Sequence, residues 1–285
     1  MYPNLVSYQT FITRNLSFHW KPLLLLVVIS FVLMTTAVDK NNYIESQIQL
    51  FIVSNSALQI LPQSFWYNIT FLGDGLILIP LLSFLCLINI QSLAAIFGGI
   101  PLALVISHVG KAFFAIPRPA AILDHDRFTI IGHSLTAHTS FPSGHTITIF
   151  TAMSAIIFVL LRKNKRSDSY FQFMLIAIIL FISSITAISR VAVGAHWPAD
   201  LLLGAAFGSI AGISGEYLAR TYKGWWLWAK TKPIALGCFI LFFCTLLMLL
   251  TVSGRLPDLL IVWIAMLVSG LVGSIIIIKT LIEKN

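Results

Sequence analysis

Apolar residues fall into eight runs along the chain, at roughly 21–38, 71–90, 92–110, 143–161, 170–189, 198–218, 233–251 and 258–278. Each holds about twenty residues, enough to cross the hydrocarbon core of a bilayer as a helix. The pattern predicts an all-α polytopic bundle of eight spans. The first run does not read as a signal peptide, because some twenty mostly polar residues precede it and Thr35-Thr36-Ala37 is a poor cleavage site.

Residues 39–70 are too polar to span, yet they carry Ile48, Leu50, Phe51, Ile52, Leu58, Ile60, Leu61, Phe65 and Trp66. That mixture predicts an external element lying along the bilayer surface. Trp225, Trp226 and Trp228, beside Lys223, Lys230 and Lys232, predict an interfacial belt at the opposite face. No repeat or low-complexity segment appears, and the only sizeable loop near polar chemistry is 111–142.

Composition supports the membrane assignment: mean hydropathy is +0.92, 58% of the 285 residues are hydrophobic and 10% are charged. Cys86, Cys238 and Cys244 lie inside apolar runs, without the paired spacing of disulfides or zinc sites. A net charge of +8 would suit nucleic acid only on a soluble basic face, so location decides its meaning. With the N-terminus in the cytoplasm, twelve of the 18 lysines and arginines fall in inner loops. Lys40, Lys111, Arg118, Arg127, Arg190 and Arg255 remain outside. The positive-inside bias therefore predicts an even number of spans, with both termini cytoplasmic and segments 111–142 and 189–200 on the exterior. No nucleic-acid partner is expected.

Three polar blocks interrupt the apolar pattern: Lys111 with Arg118-Pro119, then Pro142-Ser143-Gly144-His145, then Ser189-Arg190 with His196 and Asp200. Fixed cations, histidines and a carboxylate at membrane depth are costly unless they share an anionic ligand, which points to phosphate. Ser143 suits a helix N-cap, and Gly144 lets backbone approach an anion at the free amides of a helix start. His196 and Asp200 are four apart, and Pro198 favours a first helical turn, so both can share one helix face. A carboxylate on one imidazole nitrogen fixes the tautomer and frees the other as nucleophile or base. Each block alone also has a plainer reading: a helix start, a capping pair, or cations snorkelling to headgroups.

Together the blocks resemble the signature of the type 2 phosphatidic acid phosphatase superfamily, integral membrane enzymes, with eleven specified residues at the family's spacing over 111–200. The resemblance implies a six-helix phosphatase core over residues 1–218; the last two apolar runs exceed that core and predict a two-helix membrane extension over 219–285, about which the resemblance says nothing. It implies that His196 attacks phosphorus to form a phosphohistidine, with Asp200 orienting it. His145 would protonate the leaving oxygen and then activate water. Lys111, Arg118, Arg190 and the backbone at Ser143 and Gly144 would hold the phosphoryl oxygens. No metal and no cofactor are expected, the Asp124-His125-Asp126 run being a weak ligand set.

The expected function is hydrolysis of a lipid phosphate or diphosphate at the outer face of a bacterial inner membrane, with the tail among membrane lipids. Undecaprenyl diphosphate, lipid A phosphate and phosphatidylglycerol phosphate are candidates by analogy. Transfer of the phosphoryl group to a lipid hydroxyl is an alternative, as is an anion transporter, although a transporter places its polar residues at the midplane. His108 is read as a helix-end residue, His133 and His138 as loop residues, Asp74 as support for the site, and Glu216 with Arg220 as a surface ion pair.

Overall fold

The computed structural model describes residues 20–163 and 169–283, and all regular structure among them is helical. In order these are α1 (Trp20–Thr36), α2 (Lys40–Leu58), α3 (Gln63–Thr70), α4 (Gly75–Leu81), α5 (Leu85–Ile88) and α6 (Ile90–Phe114). Then follow α7 (Pro119–Ile122), α8 (Gly144–Lys163), α9 (Ser169–Ala192), α10 (Pro198–Thr221), α11 (Gly224–Thr231), α12 (Pro233–Val252) and α13 (Leu260–Ile282).

Among the described residues, six helical segments are long and apolar enough to cross a membrane, those of α6, α8, α9, α10, α12 and α13. The other two expected spans lie in bent helix pairs. The axis turns by 105° between α1 and α2, where Asp39 accepts from Asn41 N and Asn42 N and so caps a new helix. A second bend of 82° falls between Gln63–Gly73 and Gly75–Ile88. There Asp74 caps α4 through Leu76 N, and Pro80 inside α4 removes a backbone donor, so the run at 71–90 breaks into short pieces. The count is six spans, or eight if each bent pair crosses as one.

Helix α10 is central and packs on α6 and α8. Glycines let the backbones touch: a Cβ on Gly208 would fall 2.5 Å from Ile147 O, and one on Gly98 2.9 Å from Gly215 O. Small residues at helix crossings are the usual means of association where lipid removes the hydrophobic drive. Helices α12 and α13 pair through Gly237 and Gly273, and α13 rests on α4, with Ile261 N donating to Asn68 Oδ1 at 3.0 Å.

The segment 39–70 forms α2 and α3, which cover one end of the bundle and bury Tyr43, Phe51, Asn55 and Trp66. The Asn55 carboxamide donates to Thr129 O, Val191 O and Ala192 O and accepts from Thr129 N, riveting α2 to that end. At the opposite end the Trp226 indole is buried and donates to Ala219 O, whereas Trp225 and Trp228 stay exposed. Glu216 corrects the expectation of a surface pair: it is 2% exposed and lies 3.1 Å from Arg162 and 3.6 Å from Arg220. The partner on α8 was not readable from helical spacing, because it comes from a neighbouring helix.

Candidate active site

Four helix ends converge under α2: the last turns of α6 and α9, and the first turns of α8 and α10. Alternating chain direction thereby gathers Lys111, Gly144, His145, Arg190, His196 and Asp200 at a single end.

His196 does not share a helix face with Asp200, as spacing suggested. It precedes α10 by two residues, and Asp200, in the first helical turn, reaches back to it. Asp200 Oδ2 lies 3.0 Å from His196 Nδ1 and accepts from Trp197 N at 3.0 Å and from the Ser140 hydroxyl. Its Oδ1 accepts from Tyr43 Oη at 2.7 Å. With the imidazole N–H included, four donors face a carboxylate that has about four lone-pair sites and no proton to give when ionised. His196 is 1% exposed and Asp200 is fully buried.

The chain reverses between α9 and His196 through Gly194, at φ +77°, and Arg190 O accepts from Ala195 N and His196 N. A Cβ at Gly194 would fall 2.8 Å from Thr129 O, so both space and dihedral call for glycine. The Trp197 indole donates to Pro117 O at 2.8 Å, tying the His196 turn to the Arg118 turn.

Three cations surround this pair. Arg118 donates one Nη1 bond to Ala195 O at 3.2 Å, and Arg190 donates through Nη1 to Thr70 Oγ1. The Nε of each is buried without a hydrogen-bond partner. Buried donors in that state are costly unless a ligand completes them. Lys111 Nζ sits 3.0 Å from the point a Cβ of Gly144 would occupy, so the ammonium lies against the start of α8. Burial, and then the charges of Arg118, Arg190 and Lys111 with His145, hold the His196 imidazole well below the ordinary histidine range. That shift favours the neutral imidazole.

Ser143 is placed differently from expectation. Its N–H donates to Asp200 O at 3.2 Å, and its hydroxyl accepts from Thr146 at 3.0 Å. The residue therefore couples the second block to the third, and the amides open to an anion start at Gly144. His145 is half-buried and packs beneath Gly73, where a Cβ would fall 2.6 Å from the His145 Cβ. Asp74, next in the chain, caps α4 and acts on the charge of Arg190.

Tyr43, Thr70 and Ser140 touch the charged groups but carried no sequence signal, because each is an ordinary residue brought in from elsewhere in the chain. His108 is exposed, with Nδ1 2.9 Å from Leu104 O, and His133 and His138 are exposed in the loop. Asp124, His125 and Asp126 are also exposed, and among the described residues no three His, Cys, Asp or Glu side chains gather as a metal group.

A buried His–Asp pair ringed by cations, at one end of a multi-pass helical bundle, defines an integral membrane phosphatase. Residues 92–225, which contain every residue of the three blocks, match the PAP2 superfamily. That match covers 134 of the 285 residues, and with the helical bundle it makes the protein a membrane lipid phosphatase. It is similar to the crystal structure of Aquifex aeolicus LpxE, at 28% identity and a TM-score of 0.50 over 59% of this chain and 93% of that one. It also matches the first transmembrane PAP2 type phosphatidylglycerolphosphate phosphatase from Bacillus subtilis, at 20% identity and a TM-score of 0.49 over 72% and 96%. No curated protein matches the sequence significantly.

Proposed function

We propose that the protein hydrolyses a lipid phosphate or diphosphate through a phosphohistidine at His196. In the first step the neutral His196 Nε2 attacks phosphorus, the bond to the leaving oxygen breaks, and His145 gives that oxygen a proton. In the second, His145 takes a proton from water, which attacks the phosphohistidine and releases inorganic phosphate and free His196. Asp200 holds the Nδ1 proton and stabilises the imidazole as positive charge develops on it.

The observation that carries this reading is the pair of buried, unpartnered Nε groups of Arg118 and Arg190 beside His196. With Lys111 and the amides from Gly144 onward, they offer fixed donors to the three equatorial oxygens of a transferring phosphoryl group. Ser143 contributes by fixing the start of α8 to Asp200.

Among the described residues, the site lies at the end of the bundle opposite Arg162, Arg220, Lys223, Lys230, Lys232 and Lys279. That supports an active site on the outer, periplasmic face of a bacterial inner membrane, with both termini cytoplasmic. The lipid tail then enters between helices while the phosphate stays near the surface.

Purified protein in detergent, assayed for phosphate release from undecaprenyl diphosphate, lipid A phosphate and phosphatidylglycerol phosphate, tests the substrate class. Rapid acid-free quenching with a radiolabelled lipid phosphate should trap a base-stable, acid-labile phosphoenzyme that His196→Ala lacks. Full activity in His196→Ala would remove the mechanism, and label appearing on an added lipid alcohol would reassign the reaction to phosphotransfer.

A further inference from the structure

Tyr43 lies on α2, outside the residues that match the superfamily, yet its phenol is hydrogen-bonded to the centre of the site. It is 3% exposed, and its Oη donates to Asp200 Oδ1 at 2.7 Å across 157 residues of chain. Nearby on the same helix, Gln47 Oε1 accepts from Ala199 N at 3.0 Å, the residue just before Asp200. Further along, Asn55 fixes the helix to the turns that follow Phe128 and Val191. The phenol is thus delivered by a helix anchored at two points beyond it, one and three turns along.

We infer that Tyr43 is a positioning residue for the phosphotransfer, acting through Asp200. This inference rests on the reading of His196 as nucleophile. The carboxylate has two oxygens with different tasks: Oδ2 meets His196 Nδ1 and Trp197 N, and Oδ1 meets the Tyr43 hydroxyl. A donor on Oδ1 prevents rotation of the carboxylate and satisfies its remaining charge where Asp200 is fully buried, leaving Oδ2 aligned on the imidazole. The phenol is on the far oxygen from His196, so it has no part in gripping phosphate.

Substitution by phenylalanine separates this role from packing. The Tyr43 ring stacks edge-on against Phe141, with centroids 5.3 Å apart, and Tyr43→Phe keeps that contact while removing only the hydroxyl. Loss of one hydrogen bond to a charged group corresponds to roughly a tenfold effect. The expected result is about a tenfold fall in kcat with KM unchanged, the same factor in the single-turnover rate of phosphoenzyme formation, and a thermal midpoint lowered by a few degrees that leaves the protein folded at the assay temperature.

The experiment compares wild type, Tyr43→Phe and His196→Ala in detergent, with a radiolabelled lipid phosphate, by steady-state kinetics, phosphoenzyme trapping and thermal unfolding. A Tyr43→Phe kcat within twofold of wild type overturns the inference. So does a fall in kcat matched by a rise in KM, which would make Tyr43 a substrate-binding residue, or one that leaves the rate of phosphoenzyme formation unchanged in folded protein. If wild type hydrolyses lipid phosphate but yields no phosphoenzyme, or His196→Ala stays active, the nucleophile assignment fails, and that failure is read independently of the Tyr43→Phe kinetics.

Discussion

Arg190 is held on one side by Thr70, whose Oγ1 accepts from Nη1, while its Nε stays buried and without a partner. The two residues come from α9 and from the end of α3, 120 positions apart. Thr70 fixes one arm of the guanidinium fork so that another edge remains available to an anion. Thr70→Val keeps the shape and removes the acceptor. We expect KM for a lipid phosphate to rise about tenfold, the loss being that of a hydrogen bond to a charged group, with a smaller change in kcat. Steady-state kinetics with and without inorganic phosphate as competitor reads this directly.

Gly144→Ala should inactivate without unfolding. The added Cβ would fall 3.0 Å from Lys111 Nζ and 3.3 Å from Ser107 Oγ, and the end of a lysine can move aside. The displaced ammonium then leaves the phosphate site. The expected outcome is a ten- to hundredfold fall in kcat/KM, about 1.4–2.8 kcal/mol of transition-state stabilisation, at an unchanged thermal midpoint. A melting transition shifted as far as the activity would assign the glycine to packing.

His196 sets the expected pH dependence. Burial is the largest cause of its lowered pKa, followed by the charge of Arg118. A lowered pKa keeps the imidazole neutral as pH falls through the ordinary histidine value of about 6.5, so the acid limb of kcat/KM lies below that value. Arg118→Gln removes the strongest of the charges acting on it and should move the limb to higher pH while lowering the overall rate. Profiles of the two proteins that share one acid limb would disconnect it from His196.

Glu216→Gln should cost stability and spare catalysis. The carboxylate is buried between Arg162 and Arg220, and neutralising it leaves two cations facing each other. Breaking a buried ion pair from one side costs about 3 kcal/mol; discounted for the partial exposure of both arginines, roughly 1–2 kcal/mol remains. Glu216 is sixteen residues along α10 from Asp200, about 24 Å at helical rise. A thermal midpoint lowered by several degrees with kcat within twofold is the expected outcome, measured by thermal shift and phosphate release.

What the chain determines by itself is what local spacing and solvent preference can express. Apolar runs of bilayer length specified a helical membrane bundle, and three short blocks named charged residues that the structure gathers at one end of it. Those signals survive because each depends on residues close together in sequence. Tertiary structure decided the rest. Asp74 and Pro80 broke the apolar run at 71–90 into short pieces, and Asp39 capped a new helix where the first run ended. Asp200 met His196 from the first turn of α10 rather than along one face, because the imidazole precedes the helix. Tyr43, Thr70 and Ser140 reached the site only through folding, as hydroxyls whose partners lie 157, 120 and 60 residues away. A buried carboxylate and a buried guanidinium must have their hydrogen bonds completed, and which residue completes them is a property of how the helices pack.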